Sequence, residues 1–220
     1  MRTREGMDDR AFPRLTLGSG RSVRLESLEP RHIAGLVAAA AVDPTLYRWS
    51  MVPQGEEAMT AYVERAIAEQ RSGNALAFAT IDLRDEKVLG STRFFNIERW
   101  AWPERNERFG NPNPDACEIG YTWLRRSAIR TAANTEAKLL MLEHAFETWG
   151  VLRVCFHTDV RNERSRRAIE RIGGRFEGIL RAHRLATDYS ARDSARYSIL
   201  AEEWPTVEHQ LRGRLGLPVL

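Results

Sequence analysis

The run Ala116-Cys-Glu-Ile-Gly-Tyr-Thr-Trp-Leu124 passes through a basic connection, Arg125 to Arg130, into Asn134-Thr-Glu-Ala137. There an apolar pattern begins at Ala137, Leu139, Leu140, Leu142, Ala145, Phe146 and Trp149, and it stops at Gly150. The first run has the aromatic and β-branched content of a strand, and the second has helical spacing. A strand that feeds a helix through a polar turn matters for a physical reason. The first N–H groups of a helix have no partner within it and carry the positive end of its dipole, so such a turn can hold a pyrophosphate. Arg125, Arg126 and Arg130 would add charge. The same residues also read as an ordinary helix start, because Asn134 or Thr135 with Glu136 is a favourable opening.

Upstream, Ser22-Val-Arg-Leu-Glu-Ser-Leu28 alternates apolar and polar, and Pro30 opens a helical stretch through Ile33, Leu36 and Val37. A second helix is expected from Glu56 to the breaker Ser72-Gly-Asn74. Ala75 to Asp82 and Lys87 to Ile97 read as a hairpin, with Gly90 at a bulge. From Glu98 to Asp115 the chain has no period, and this long loop is either a lid or acceptor-binding segment or a surface insertion packed by Trp100 and Trp102. Downstream, Val151 to Val160 is a strand, and Asn162 caps a helix that Gly173-Gly174 ends. Arg175 to Leu185 and Arg192 to Leu200 form a closing hairpin, and a last helix starts near Ala201. The order is strand, two helices, three strands, helix, strand, helix, two strands. That order predicts an α/β fold of the α+β kind, one mostly antiparallel mixed sheet with helices on both faces. We expect a polar leader at 1–20, a single domain at 21–213 and a tail at 214–220.

The 220 residues, 43% hydrophobic and 29% charged, suffice for one sizeable core. No apolar run is long enough to cross a bilayer, and Met1 to Arg14 lacks the apolar core of a signal peptide, so no membrane association is expected and the chain reads as cytoplasmic. The net charge of +3 comes from arginines scattered among acids, whereas a nucleic-acid binder needs a larger and more segregated excess. The basic stretch Arg161 to Arg171 is interrupted by Glu163 and Glu170 and reads as a solvated helix face. Cys117 and Cys155 read as reduced core thiols. His144 and His157 stand alone in sequence, without the spacing of metal ligands, so no metal is expected. Cys155 and His157 leave one face of a strand without forming a nucleophile and base unaided.

The second half of the chain resembles the GNAT superfamily of N-acetyltransferases, in its RimJ/RimL-like branch. The resemblance rests on Glu118-Ile-Gly-Tyr-Thr-Trp-Leu124, on Thr135-Glu136-Ala137, on Asn162-x-x-Ser165 with Ala168-Ile-Glu-Arg-Ile-Gly173, and on Arg192-Asp193 with Tyr197-Ser-Ile-Leu and Glu203-Trp204. Val23 to His32 and Val88-Leu-Gly-Ser91 extend it loosely to the front. The resemblance implies acetyl-CoA as cosubstrate, held by Tyr121, Trp123, Leu124, the loop Ile129-Arg130-Thr131-Ala132-Ala133-Asn134, Thr135 and Asn162. One departure stands out: where the family loop usually has Gln or Arg, Gly, and Gly or Ala, this chain has Ile129, Ala132 and Asn134. Glycine permits close backbone approach to a phosphate, so the substitution bears on cofactor affinity.

The resemblance further implies direct transfer of acetyl to a primary amine in a ternary complex, the acceptor being a protein N-terminus or a small amine. Dimers are common in the family, which implies a homodimer. An ammonium has no lone pair, so the acceptor must lose a proton, and Glu118 is the candidate base. A carboxylate held between diverging strands is partly desolvated, which strengthens it as a base. Backbone N–H groups from Tyr121 to Leu124 would stabilise the charge that develops on the thioester oxygen. Ser165 would donate to the leaving thiolate, with Tyr197 as a second candidate. A CoA-binding protein without turnover is the rival reading, supported by Ala132 and Asn134.

Overall fold

A computed structural model describes residues 11–18 and 21–218 of the chain. The strands are β1 (Thr16–Leu17), β2 (Val23–Ser27), β3 (Leu76–Asp82), β4 (Val88–Glu98), β5 (Ala116–Leu124), β6 (Arg153–Asp159), β7 (Arg175–Leu185) and β8 (Ala191–Leu200). The helices are α1 (Ile33–Ala41), α2 (Glu56–Arg71), α3 (Ala133–Glu143), α4 (Glu163–Arg171) and α5 (Trp204–Leu215). All strands join one sheet in the order β1-β2-β3-β4-β5-β6-β8-β7. Neighbours are antiparallel except β5 and β6, which run parallel because α3 returns the chain to its starting edge between them.

Alternation along the strands sends side chains to two cores. On one face Leu36 of α1 and Met59 and Val63 of α2 cover Ala77, Ala79, Ile81 and Trp123. On the other, Leu139 and Leu142 of α3 and Trp204 and Leu211 of α5 pack with Phe78, Phe94, Cys117, Ile119, Phe156 and Ile199. Leu142 is fully enclosed, so its truncation to alanine would cost about 2–5 kcal/mol. Cys117 and Cys155 are buried free thiols. Among the described residues no helix is long and apolar enough to cross a membrane.

Several local expectations hold. Asn162 caps α4 by accepting the Ser165 N–H at 3.1 Å. In the first hairpin Thr80 faces Gly90 and Ile81 faces Val88, so Leu89 is the extra residue of a bulge. A Cβ on Gly90 would lie 2.0 Å from the Trp123 carbonyl oxygen, which explains the glycine there. Other elements differ. Residues 11–18, read as leader, include β1, which pairs with β2, and Phe12 packs against Trp149 with ring centroids 5.2 Å apart. The helix expected from Thr135 begins at Ala133 without a side-chain cap, and it runs into a π-helical turn at His144–Thr148 before Gly150. Glu136 does not cap it. Its buried carboxylate instead accepts the Arg21 N–H at 2.5 Å and the Ser22 N–H at 3.1 Å, tying the start of β2 to α3.

Candidate active site

The sheet opens where β5 and β6 stop pairing. Their ladder runs Ala116–Arg153, Cys117–Val154, Glu118–Cys155 and then ends, although β6 continues against β8 as far as Asp159 and Ser194. From Ile119 onward β5 bonds only to β4, so the N–H and C=O groups on its other edge open into a cleft of about 990 Å³. That volume lies at the upper end of the range for small-molecule sites. Tyr121, Trp123, Leu124, Ile129, Arg130, Thr131, Asn134, Thr135, Asn162 and Ser165 line it together with Glu118.

One end of the cleft is built from contiguous chain. After β5 a short 3-10 turn, Arg126–Ala128, leads to Arg130 at φ 63° and then into α3. Thr131 Oγ1 donates to the Ala128 carbonyl at 2.8 Å and accepts the Ala133 N–H at 3.2 Å. The first bond of the helix is Glu136 N–H to the Ala132 carbonyl, which leaves the Asn134 and Thr135 N–H groups without intrahelical partners, at the positive end of the dipole. Ala132 has φ −66°, an ordinary helical value, so the loop without glycine carries no strain at that position. Ala132 and Ala133 do not line the cleft. The Ala133 methyl is buried in the core beneath α3, and its N–H is occupied by Thr131.

The other end is assembled from separate strands. Glu118 is 3% exposed; its Oε2 accepts from Asn96 Nδ2 at 2.8 Å and lies 3.5 Å from the Arg184 guanidinium, and its Oε1 is 2.7 Å from His157 Nδ1. The His157 contact is at ion-pair distance but out of line for a straight hydrogen bond, and Nε2 is buried without a hydrogen-bond partner. His157 packs on His183 at 5.0 Å between ring centroids. These side chains share a face because Glu118 pairs with Cys155, two residues before His157, and His157 pairs with Arg196 of β8, four residues from Arg192.

Backbone irregularities aim this end. Asn96 at φ 46° occupies a register shift between Phe95 and Glu98, Tyr121 at φ 50° lies in one between Ser91 and Arg93 on the partner strand, and Ala182 at φ 46° lies in one between Leu180 and Arg184. Left-handed non-glycine residues inside strands are costly and gather where a bulge re-aims a side chain. Asp193 holds the third bulge by accepting the Ala182 N–H at 2.8 Å.

On the helix side of the cleft lies Lys138, fully buried, with Nζ donating at 2.8 Å to both Thr92 and Thr122 Oγ1. Burial lowers its pKa to about 7. One expectation fails. Tyr197 does not line the cleft; its ring is wholly buried on the α4 side, and its hydroxyl accepts from Arg166 at 3.0 Å and donates to Glu170 at 3.1 Å. Of the two readings of the 99–115 loop the second fits, since it contributes no residue to the lining. It is a surface insertion pinned by Asp115, whose carboxylate accepts from Trp100 N–H at 2.7 Å, Trp102 Nε1 at 2.8 Å and Arg108 at 2.9 Å.

This forked sheet, with open helix N–H groups on one side and a buried carboxylate on the other, is matched by comparison with known proteins. The family described as Acetyltransferase (GNAT) domain matches residues 22–175. The chain is a GNAT-family N-acetyltransferase. A protein of T. thermophilus assigned as an acetyltransferase is 36% identical, with TM-score 0.74, over 93% of this chain and 98% of that one. A GCN5-related N-acetyltransferase from Brucella melitensis is 30% identical, with TM-score 0.79, over 92% and 86%. Mycobacterium smegmatis RimJ in complex with CoA-disulfide is 24% identical, with TM-score 0.74, over 91% and 94%, and shares the fold. No curated protein matches the sequence.

Sequence reasoning missed two parts of the acetyltransferase's cleft. His157 stood alone in the sequence and becomes a neighbour of Glu118 only because β6 lies beside β5. The connection between α1 and α2 roofs the cleft through Leu46, Trp49 and Met51, anchored where the Thr187 hydroxyl meets the Arg48 carbonyl. Trp49 lies between two guanidinium groups, Arg48 at 4.8 Å and Arg161 at 4.7 Å from its ring centre. Its aromatic content was the only available signal.

Proposed function

We propose that this acetyltransferase moves the acetyl group of acetyl-CoA to a primary amine by direct attack, with Glu118 receiving the amine proton. The observation that carries the proposal is the buried Glu118 carboxylate at the mouth of the β5–β6 fork, backed by Asn96 and His157.

The chain fits the donor. The open N–H groups of Asn134 and Thr135 and the Arg130 side chain suit a pyrophosphate, and the fork gives an extended arm a passage from α3 to Glu118. Acetyl-CoA supplies the thioester carbonyl. An ammonium entering beside Glu118 gives up a proton to the carboxylate. The freed nitrogen attacks the carbonyl carbon, forming the C–N bond. Charge on the carbonyl oxygen is met by β5 N–H groups at the splayed edge, between Tyr121 and Leu124. As the C–S bond breaks, the attacking nitrogen loses its second proton, which the departing thiolate takes up, and the hydroxyl of Ser165, a residue of the cleft lining, donates a hydrogen bond to that sulfur. Asn162 uses Oδ1 for its cap and keeps its amide N–H groups for the arm. A protein N-terminus and a small amine remain the two acceptor classes.

The test is calorimetric titration with acetyl-CoA, followed by thiol release on peptides and small amines, for the wild type and Glu118→Gln. We expect binding and release in the wild type, and a fall in kcat of about 10²–10⁴-fold in the variant at unchanged acetyl-CoA affinity. Unchanged turnover in the variant would remove Glu118 as the base. Binding without release on any acceptor would favour a cofactor-binding protein.

A further inference from the structure

The acceptor end of the cleft holds more positive charge than an amine substrate requires. Arg184 and Arg192 stand directly opposite each other on β7 and β8, and both line the cleft. Like charges in that cross-strand position repel. The neighbouring acids do not balance them. Glu118 is shared among Asn96, His157 and Arg184. Asp159 is held by Arg161 through Nε at 2.9 Å and a terminal nitrogen at 2.8 Å. Arg192 has one hydrogen bond, Nε to Ser194 Oγ at 3.0 Å, and among the described residues no carboxylate lies within ion-pair distance of it. Burial first, and then the neighbouring Arg184, lower its pKa from the usual arginine range.

The pairing is a built feature. A regular β7 ladder would not bring residue 184 opposite 192, since three residues of β7, 181–183, are accommodated against Asp193 alone. The bulge is pinned through Ala182 N–H to Asp193 and costs a left-handed alanine. The Arg184 guanidinium is also steadied over the Phe95 ring, 5.3 Å from its centre. Both arginines share the sheet face of Glu118. The opposite face, carrying Cys117 and Ile119, packs on α3, so the pair lies away from the helix start suited to the cofactor's phosphates.

We propose that Arg184 and Arg192 form an anion subsite for the acceptor, and that the acceptor is an amine carrying a carboxylate, its amine at Glu118 and its carboxylate between the two guanidinium groups. Arginine forks match carboxylates in two-point geometry. The inference rests on the acetyl-transfer reading above. Its chemistry is met by a free amino acid or by a peptide with an acidic residue near its N-terminus, and the test separates the two.

Thiol release is measured with acetyl-CoA on matched pairs: amino acids against their amides, and peptides with Asp or Glu against Ala or Lys at the second residue. Arg184→Gln, Arg192→Gln and Arg192→Lys are run beside the wild type. We expect kcat/KM at least tenfold higher for the anionic member of one set, and the set in which it appears names the source. Each Gln variant should erase the preference by raising KM for the anionic acceptor at least tenfold, with acetyl-CoA affinity unchanged as the control for folding. Arg192→Lys should restore part of it. Equal or better use of the uncharged or cationic members would overturn the subsite and leave the acetyltransferase standing. Weakened acetyl-CoA binding in the Gln variants, with acceptor KM unmoved, would place the arginines on the cofactor and overturn it too. No release from any acceptor despite acetyl-CoA binding would defeat the transfer reading itself, and the subsite with it.

Discussion

The two ends of the cleft are made in different ways. The donor end comes from a single stretch, Arg125 to Lys138, and presents backbone N–H groups at a helix start. The acceptor end takes Asn96 from β4, Glu118 from β5, His157 from β6, Arg184 from β7 and Arg192 from β8, and presents side chains. Backbone donors suit a ligand part that is always a phosphate, because they need only a helix with an open first turn. Side chains on separate strands can each be exchanged without disturbing the ladder, so specificity for the acceptor is adjustable there.

If this division is right, the ends respond independently to substitution. The largest effect is the fall in kcat of about 10²–10⁴-fold expected for Glu118→Gln at the acceptor end; at the donor end, Ala132→Glu places a negative charge at the positive end of α3 and should weaken acetyl-CoA binding about 30-fold, or about 2 kcal/mol, while Ala132→Gly leaves affinity intact or improves it. Calorimetry checks this, and full affinity in the Glu variant would place the phosphates elsewhere. A smaller effect is expected at His157 of the acceptor end. His157→Gln should lower kcat about tenfold with acetyl-CoA affinity unchanged, because the ring stands beside the Glu118 carboxylate and holds it in place. An equal loss of cofactor affinity would show that the ends are coupled.

Between them lies Lys138, whose effect is on stability and not on turnover. Its folded pKa, about 7, lies below the ordinary 10.5, so between these values the unfolded chain binds more protons than the folded one. Stability therefore rises with pH through that window, by up to about 1.4 kcal/mol per unit, and is lost as pH falls toward 7. Lys138→Met should flatten this dependence and raise stability near pH 7. Urea unfolding at several pH values between 7 and 10 tests it, and an unchanged slope in the variant would assign the effect to other groups.

The elements were legible because each has a local cause. Periodicity gave α2 to the residue, from Glu56 to Arg71, and Asn162 marked the start of α4 by supplying its cap. Glu118 was legible as part of a strand motif, but Asn96, Arg184 and Arg192 were not read together with it. They lie 22, 66 and 74 positions away in the chain and meet through sheet order and through bulges that local propensity does not encode. The helix start misled for a related reason. Asn134 or Thr135 with Glu136 reads as a helix opening, yet the helix starts at Ala133 and the Glu136 carboxylate is taken by Arg21 and Ser22, which are more than a hundred residues away.

By itself the sequence determined the fold class, the order of elements and the contiguous turn from β5 into α3, because hydrophobic period, caps and glycines act over a few residues. Tertiary structure alone decided that β5 and β6 part after Glu118, that His157 stands beside it, that Tyr197 turns away to Arg166 and Glu170, and that the 99–115 loop is held by Asp115 away from the cleft. Those outcomes depend on which strands become neighbours and in what register, and register is fixed by packing across the whole sheet.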